Sequence, residues 1–301
     1  MKQIPDKIRE VSHRCRSLTS LEQAEYEELL NVFSVHCVEM LSLFTLKGKR
    51  RKVRKYAQRK DSSLYGSRAK LDFLLMYLKE DCVQLRQGLL FEMSQSKVSE
   101  WLKFLLPVLE KSLAQLGQLP QEGSYFDGRH HSETEWFTAD VTERPIAGNL
   151  DKQAQKEEYS GKKKQHTVKN LILCDKEKRV VFLSDLYEGK THDKVIWDAL
   201  DLELQGRNVL VDLGFHGTEK QEAVLPFKKP KNQELSKHKR LVNQLLAQLR
   251  IGVEHAFSGI KRLKIVHHQI RLKTTKVRQQ VFRIAIGLYN FRLEKRLINK
   301  T

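Results

Sequence analysis

The segment VDLGFHG, residues 211–217, closes an apolar run that begins at Asn208 and is typical of a buried β-strand. Asp212 stands where the chain should leave the sheet, and Gly214 and Gly217 follow it within five positions. An aspartate here has two interpretations. It can start a turn, because its side chain bonds nearby backbone N–H groups. It can also belong to a functional site, because such sites lie beyond the carboxyl ends of strands in α/β folds.

Strand and helix signals alternate along the chain on both sides of this segment. Strands are predicted at residues 135–142, 167–173, 179–183, 208–212 and 223–227. Helices are predicted at residues 191–200, 233–264 and 275–299. The charged turn at 175–178 joins the second and third strands into a hairpin. This order is typical of an α/β fold with a mixed five-stranded sheet and flanking helices.

The first part of the chain carries helical periodicity. Residues 1–66 form a predicted helical region, and residues 67–117 are predicted to form three helices, the third capped by Ser94 or Ser96. The short break at 93–95 has the length of the turn in a helix-turn-helix, whose second helix faces base edges. An ordinary helical hairpin with a polar outer face fits this pattern equally well. The front of the second helix would carry Gln95, Ser96, Lys97, Ser99 and Glu100.

Charge is the strongest compositional signal. The chain has 301 residues, with 55 Lys and Arg against 37 Asp and Glu, so its net charge is +18. A protein this basic most often binds nucleic acid, and less often an anionic membrane. Residues 47–60 hold nine Lys or Arg and could be a phosphate-binding arm or a solvated one. The cluster of Lys162, Lys163, Lys164 and His166 could likewise contact phosphates or form a solvated turn.

Several classes of protein are disfavoured by the sequence. We expect no membrane span, because the chain has no run of 18 apolar residues. The N-terminal residues lack the apolar core of a signal peptide. The four cysteines are scattered and form no C-x-x-C pair, which argues against a zinc site and a disulfide framework. These features are typical of a protein of the reducing cytosol.

Two further acids stand in unusual places. Asp140 interrupts the predicted strand in FTADVTERPI, where aspartate is disfavoured, so either a metal or an exposed sheet face must explain it. Glu254 shares one face of the long helix with Arg250 and Lys261, at intervals of four and seven residues. A solvent-exposed face with a weak Arg–Glu pair explains that arrangement as well. The apolar stripe predicted for the same helix comprises Leu246, Leu249, Val253, Phe257 and Ile260.

Three carboxylates from two strands and a helix make chemical sense together. Phosphoryl transfer between DNA strands needs an activated oxygen nucleophile and a stabilised leaving oxygen, and two divalent ions can supply both. Mg²⁺ takes oxygen ligands, typically one or two carboxylates with water and phosphate oxygens. A basic protein that holds such ions on a rigid sheet would attract DNA to the site.

The residues resemble the DDE-superfamily transposases of bacterial insertion sequences, in the insertion-sequence-five branch. The resemblance covers most of the chain and rests on several motifs in order. Residues 70–109 are similar to the helix-turn-helix of that family, and ADVTERPI to the strand bearing its first aspartate. YSGKKKQHTVKN, THDKVIWD, VDLGFHG and RIGVEHAFSGIKRLK match its other blocks. No single motif would suffice, but together they are specific.

The resemblance implies an RNase H-like catalytic domain and a D-D-E triad, which fall on Asp140, Asp212 and Glu254. These residues would be both catalytic and metal-binding, with two Mg²⁺ or Mn²⁺ ions per site. The signature of an arginine, the glutamate and a lysine falls on Arg250, Glu254 and Lys261, which would bind phosphates. Some relatives have a tyrosine at the position of Ala247, so a tyrosine role does not carry over.

The implied domains are the helical region with its basic arm (1–66), the helix-turn-helix (67–117), a linker (118–130), the catalytic domain (131–270) and a basic C-terminal helix (271–301). The implied function is transposition: binding of terminal inverted repeats, cleavage that frees a 3′-OH, and joining to target DNA. The implied partners are double-stranded DNA and further copies of the chain, in a homodimer or larger synaptic complex. The implied location is the bacterial cytoplasm, on the nucleoid.

Two other functions remain open from the sequence. One is a helix-turn-helix regulator whose nuclease-like domain is inactive. The other is a stand-alone metal-dependent endonuclease that cuts DNA without joining it. Asp193 and Glu143 are possible accessory acids near the metals, although Asp193 could simply cap the helix that follows it.

Overall fold

A computed structural model describes residues 16–54, 62–131 and 133–298. The chain divides into two compact units. The first, called here the helical unit, comprises Met1–Leu119, Lys261–His268 and Gln280–Thr301. The second, the sheet unit, comprises Pro120–Ile260 and Gln269–Gln279. Residues 55–61 of the predicted basic arm lie outside the described residues.

Helices that bury apolar side chains build the helical unit. The hydroxyl of Tyr26 donates a hydrogen bond of 2.7 Å to Asp72 Oδ1, so two of these helices share a buried polar contact as well as an apolar core. The three helices predicted for residues 67–117 are present in the structure. The bounds are α1 (Arg16–Thr19), α2 (Gln23–Leu43), α3 (Gly66–Glu80), α4 (Gln84–Leu90) and α5 (Gln95–Gln115).

The break between α4 and α5 is tight for a reason visible in the sequence. A Cβ at Gly88 would lie 2.4 Å from the carbonyl oxygen of Met93, so only glycine allows this approach. Ser94 caps α5, as predicted, and its Oγ accepts a hydrogen bond from the backbone N–H of Lys97. A seven-residue helix is therefore followed by a short turn and a long helix, which is the element order of a helix-turn-helix.

The sheet unit is a mixed α/β arrangement. Its strands are β1 (Gln121–Gly123), β2 (Tyr125–Asp127), β3 (Trp136–Pro145), β4 (Tyr159–Ser160), β5 (Gln165–Cys174), β6 (Val180–Ser184), β7 (Tyr187–Glu188), β8 (Asp201–Glu203), β9 (Asn208–Leu210) and β10 (Ala223–Val224). Its helices are α6 (Lys152–Glu158), α7 (Asp193–Asp198) and α8 (Lys237–Ile260). The last helix of the chain is α9 (Thr275–Ile298), close to its predicted range.

The main sheet has eight strands in the described residues, so the predicted number of five is wrong. Six strands follow the order β1-β6-β5-β3-β9-β10, while β4 and β7 also pair with β5. The added strands are only two or three residues long, because they form by pairing with a longer neighbour and carry no pattern of their own. The mixed sheet with flanking helices is compatible with the RNase H-like architecture that the resemblance implies.

Residues 118–130, which were expected to form a linker, contain two strands. β1 pairs in parallel with β6, and β2 pairs in parallel with β8 in a separate two-stranded ladder. Phe126 of β2 is fully buried in the core of the sheet unit. Glycine and proline in this segment are typical of turns, but the contacts that fix its structure come from residues far along the chain.

Apolar residues cover the sheet on the side of α7, where Trp197 packs among Phe137, Leu171 and Val211.

The prediction for the long helix is only half right. Its second half is buried through Val253, Ala256, Phe257 and Ile260, whereas Leu249 is 44 % exposed. The helix is also shorter than the predicted 233–264, and Lys261 follows its last residue.

None of the described helices is both long enough and apolar enough to cross a membrane.

Candidate active site

Asp140 lies on a central strand of the sheet, at the level where the neighbouring parallel strand β9 ends. It lies on β3 between antiparallel β5 and parallel β9, and it is half-buried. Its Oδ1 accepts a hydrogen bond of 2.7 Å from the backbone N–H of Val141. Burial, followed by the charges of Asp212 and Asp193, raises the pKa of the Asp140 carboxyl to about 6, although the Val141 hydrogen bond and Arg250 oppose the shift. Negative charge is therefore concentrated around this carboxylate.

Asp212 lies at the same edge of the sheet. Thr138 of β3 pairs with Leu210 of β9 in parallel register, and each aspartate follows two residues later. The side chain of Asp212 also makes the turn that the simpler interpretation required, since its Oδ1 accepts a hydrogen bond of 2.7 Å from the N–H of Gly214. The two interpretations of VDLGFHG are therefore compatible: Asp212 shapes a turn and brings its charge to Asp140.

Gly214 allows a third carboxylate to come close. A Cβ on this residue would lie 2.8 Å from Asp212 Oδ1 and 3.4 Å from Asp193 Oδ2. Asp212 Oδ1 and Asp193 Oδ2 therefore both lie close to the position that the Cβ of a larger residue would occupy. Asp193, predicted as a possible accessory acid, belongs to the same acidic group as Asp140 and Asp212. It begins α7, directly after the cap residue His192.

Lys169 supplies a counter-charge that the sequence did not reveal. Its Nζ donates hydrogen bonds to Asp193 Oδ1 at 3.0 Å and to the carbonyl oxygen of Thr191 at 2.8 Å. The lysine side chain is only 11 % exposed. A lysine inside the apolar strand QHTVKNLILC was the available signal, because a buried ammonium needs an acidic or carbonyl partner.

The third predicted acid stands apart. Glu254 is exposed on α8, as the simpler interpretation of this helical face requires. The Arg–Glu pair of that interpretation does not form among the described residues, where Arg250 Nε is buried without a hydrogen-bond partner. Arg250 instead acts on Asp140, whose pKa it lowers against the larger effect of burial. Lys261 comes after the end of α8, so it does not continue the helical face that holds Arg250 and Glu254.

The described residues contain no group of three or more histidine, cysteine, aspartate or glutamate side chains gathered closely enough to hold a metal ion. The donor chemistry nevertheless fits a hard cation, because the acids offer oxygen ligands. Asp212, Asp193 and Arg250 all act on Asp140, and Lys169 pairs with Asp193. A divalent ion bound at this edge would neutralise negative charge of the acids.

Other predicted residues lie elsewhere in the sheet unit. Lys162, Lys163 and Lys164 are exposed in the turn between β4 and β5, and His166 packs edge-on against Tyr159. Asp140 pairs with Ile172, six positions from His166, so about 20 Å of strand separates this basic cluster from Asp140.

Glu143 does not join the acidic group. Side chains alternate along β3, so it points to the opposite face from Asp140. Its Oε1 accepts a hydrogen bond of 2.7 Å from the Thr167 hydroxyl.

The polar residues predicted to read DNA lie at the start of α5. Gln95, Ser96 and Lys97 are exposed, and Ser99 is half-buried. Lys97 forms an ion pair of 2.9 Å with Glu100 on the same helix. These side chains therefore form a polar front on the first turns of α5.

Residues 139–290, half of the chain, match the model of the DDE superfamily endonucleases. A probable transposase for insertion sequence element IS702 from Microchaete diplosiphon is 31 % identical over 166 residues. That alignment covers 54 % of this chain and 59 % of the relative, so the chain spans less than two thirds of that protein's length. No solved structure matches the chain. The matched region contains the three predicted acids, Asp140, Asp212 and Glu254. The chain belongs to the DDE superfamily endonucleases.

Proposed function

We propose that this chain is a DNA transposase of the insertion-sequence-five branch. It would bind the terminal inverted repeats of its element, cleave a DNA strand to free a 3′-OH, and join that end to target DNA. One observation carries the proposal: Asp140 and Asp212 lie at the same edge of the sheet in a chain of the DDE superfamily. Thr138 and Leu210 pair on adjacent parallel strands, and each aspartate lies two residues beyond its member of that pair.

The acids would hold the metal. Asp140 and Asp212 come from rigid strands, and Glu254 would join them from α8 by rotation of its exposed side chain. Bound Mg²⁺ or Mn²⁺, two ions in this proposal, would lower the pKa of a water and stabilise the leaving oxygen. Arg250 would draw the scissile phosphate toward Asp140, beside which it lies. Lys261 remains a predicted phosphate ligand.

DNA recognition would fall to the helical unit. α4 and α5 would act as the helix-turn-helix, with the polar front of α5 facing base edges. The segment 44–54 supports this role, because it is a basic turn next to α5. Phe44 and Arg50 pair across the turn. The hydrogen bond from Lys97 is the largest cause of the lowered pKa of the Glu100 carboxyl, and the charge of Lys47 lowers that pKa further. Basic side chains beside a polar helix front suit phosphates that flank a groove.

The complex would contain more than one copy of the chain, because two transposon ends must be brought together, and it would act on the nucleoid of a bacterial cytoplasm. Lys162, Lys163, Lys164 and His166 would contact DNA phosphates outside the cleavage site. These assignments follow from the family and from the net charge of +18.

The test uses the full chain and labelled double-stranded DNA that carries the ends of its element. Cleavage is measured with Mg²⁺, with Mn²⁺ and with EDTA. A pre-cut substrate with a free 3′-OH is then offered together with a target plasmid. The proposal predicts metal-dependent cleavage at the ends and joining of the pre-cut end to the plasmid.

Each rival gives a different result in these assays. Specific binding of the ends without cleavage under either metal would favour a regulator and contradict the enzymatic proposal. Metal-dependent cleavage without joining of a pre-cut 3′-OH would favour a stand-alone endonuclease.

A further inference from the structure

An exposed aromatic residue lies at the same sheet edge as the two strand acids. Val224 of β10 pairs with Leu210 of β9 in parallel, so residues that follow β10 emerge at the edge where Asp212 emerges. Phe227 is the third residue past Val224, and its side chain is 41 % exposed. β10 lies next to β9, about 4.8 Å away, so the chain leaves the sheet beside the end of β9 and then leads to Phe227.

The backbone of Phe227 is held in place although it lies outside any strand. Asn243 of α8 accepts a hydrogen bond of 2.8 Å from the Phe227 N–H and donates one of 2.9 Å to its carbonyl oxygen. Two hydrogen bonds from one side chain satisfy both backbone groups and fix the orientation of the residue. The ring of Phe227 is therefore exposed on a backbone that is held in a fixed position, although burial of this ring contributes little to the stability of the fold.

The segment around this ring is basic. The Nζ of Lys239 lies 5.2 Å from the ring centroid, in cation–π geometry. Glu234 is the one acid between residues 227 and 240, and it is ion-paired with Lys229. The cations of this stretch are Lys228, Lys229, Lys231, Lys237, Lys239 and Arg240. A positioned aromatic face surrounded by cations is the combination that binds unpaired nucleotides, because every base can stack and every phosphate is negative.

We propose that Phe227 is a stacking platform for an unpaired DNA base next to the cleaved phosphate, with Lys239 and its basic neighbours holding the flanking backbone. The proposal rests on the proposed function, because it requires that DNA reach this edge. It adds a binding site for single-stranded nucleotides, which would favour a frayed or overhanging end over intact duplex.

A protein partner is the competing occupant of this surface. Leu241 and Leu245 on α8 are more than half exposed and could form an apolar contact with another chain. The charge of the segment argues against a second copy, since two such basic stretches would repel each other. Phe227 is therefore assigned to DNA, and the leucines provide a control.

The experiment measures binding in EDTA, so that cleavage plays no part. Fluorescence anisotropy compares a blunt duplex with a duplex that carries an unpaired overhang of several nucleotides. The variants are Phe227→Ala, Phe227→Trp and the matched control Leu241→Ala, each checked for unchanged thermal unfolding. We expect Phe227→Ala to weaken overhang binding about tenfold while blunt-duplex binding changes less than about twofold. Phe227→Trp should retain the preference.

Three outcomes would overturn the assignment. Unchanged overhang affinity in Phe227→Ala would show that the ring does not stack. An equal loss on both DNAs would show a general effect on charge or structure. A loss in Leu241→Ala together with a lower oligomeric state would assign the surface to a protein contact. A chain that binds overhangs as expected but never cleaves DNA with metal would contradict only the proposed function, so the two failures are distinguishable.

Discussion

Replacing Asp140 with asparagine should stabilise the protein at neutral pH. The pKa of Asp140 rises from 3.8 to about 6 in the folded chain, chiefly through burial and then through the neighbouring acids. Because the folded pKa exceeds the unfolded one, ionisation of this carboxyl opposes folding. The cost is absent below about pH 4, grows between about pH 4 and 6, and is complete above that range.

The size of the effect follows from the shift. At 1.36 kcal/mol per unit, the cost approaches about 3 kcal/mol at pH 8 and about half of that at pH 5. Solvent access to the half-buried carboxyl reduces both values. Asparagine keeps an oxygen that can accept the Val141 hydrogen bond, so Asp140→Asn should gain about 1–3 kcal/mol at pH 8 and less at pH 5.

Urea unfolding of the wild type and Asp140→Asn at both pH values measures this difference. Asp201→Asn is the control, because Asp201 is an exposed aspartate of the same unit. Added Mg²⁺ should stabilise the wild type more than Asp140→Asn, since a cation that binds only the folded site shifts unfolding by mass action. If Asp140→Asn is no more stable than the wild type at pH 8, the inference that burial and the neighbouring acids oppose ionisation of this carboxyl is wrong.

Further substitutions test the surroundings of the acids and the helical unit. Gly214→Ala should abolish DNA cleavage, because the added Cβ would displace the side chains of Asp212 and Asp193. Gly161→Ala is the control and should retain cleavage, since a Cβ there meets nothing within 4 Å. Retained cleavage in Gly214→Ala would contradict the close approach of these acids to Gly214. Lys169→Met should lower the free energy of unfolding by about 1–3 kcal/mol, because it leaves the partly buried Asp193 without its counter-charge. Adding Asp193→Asn should restore part of the loss in urea unfolding. Additive losses would mean that the pair is not coupled. Gly88→Ala should reduce DNA binding in anisotropy, because its Cβ would collide with the Met93 carbonyl; unchanged affinity would exclude the turn between α4 and α5 from recognition.

The positions of Asp140 and Asp212 could be predicted because both depend on local pattern. An apolar run that ends on an aspartate places the residue at a strand end, and the alternation in FTADVTERPI places Asp140 on a strand. The structure places Asp140 within β3 as predicted, while β9 ends at Leu210, two residues before the predicted end at Asp212. Their common edge then follows from the parallel pairing of the two strands.

Features that depend on distant partners could not be predicted. The ion pair of Lys169 and Asp193 joins residues 24 positions apart. The sequence around either residue does not predict its partner. The exposure of Leu249 follows from where the sheet ends, whereas helical periodicity records only that a residue is apolar. The shortest strands form because the backbone of a longer neighbouring strand provides hydrogen-bond partners for them. Local sequence therefore determines which residues are acidic at strand ends, while tertiary contacts determine which charges meet.

The measurement that tests the central claim most directly is DNA cleavage by Asp212→Asn. Asparagine retains an oxygen that can accept the Gly214 hydrogen bond, so the variant should keep the turn and lose only the negative charge. Labelled DNA with the element's ends is incubated with Mg²⁺ and either the wild type, Asp212→Asn or Asp201→Asn, after equal thermal unfolding has been verified. Cleavage by the wild type and Asp201→Asn, but not by Asp212→Asn, is the predicted result. Cleavage that survives in Asp212→Asn would show that this aspartate only shapes its turn and that the active site lies elsewhere.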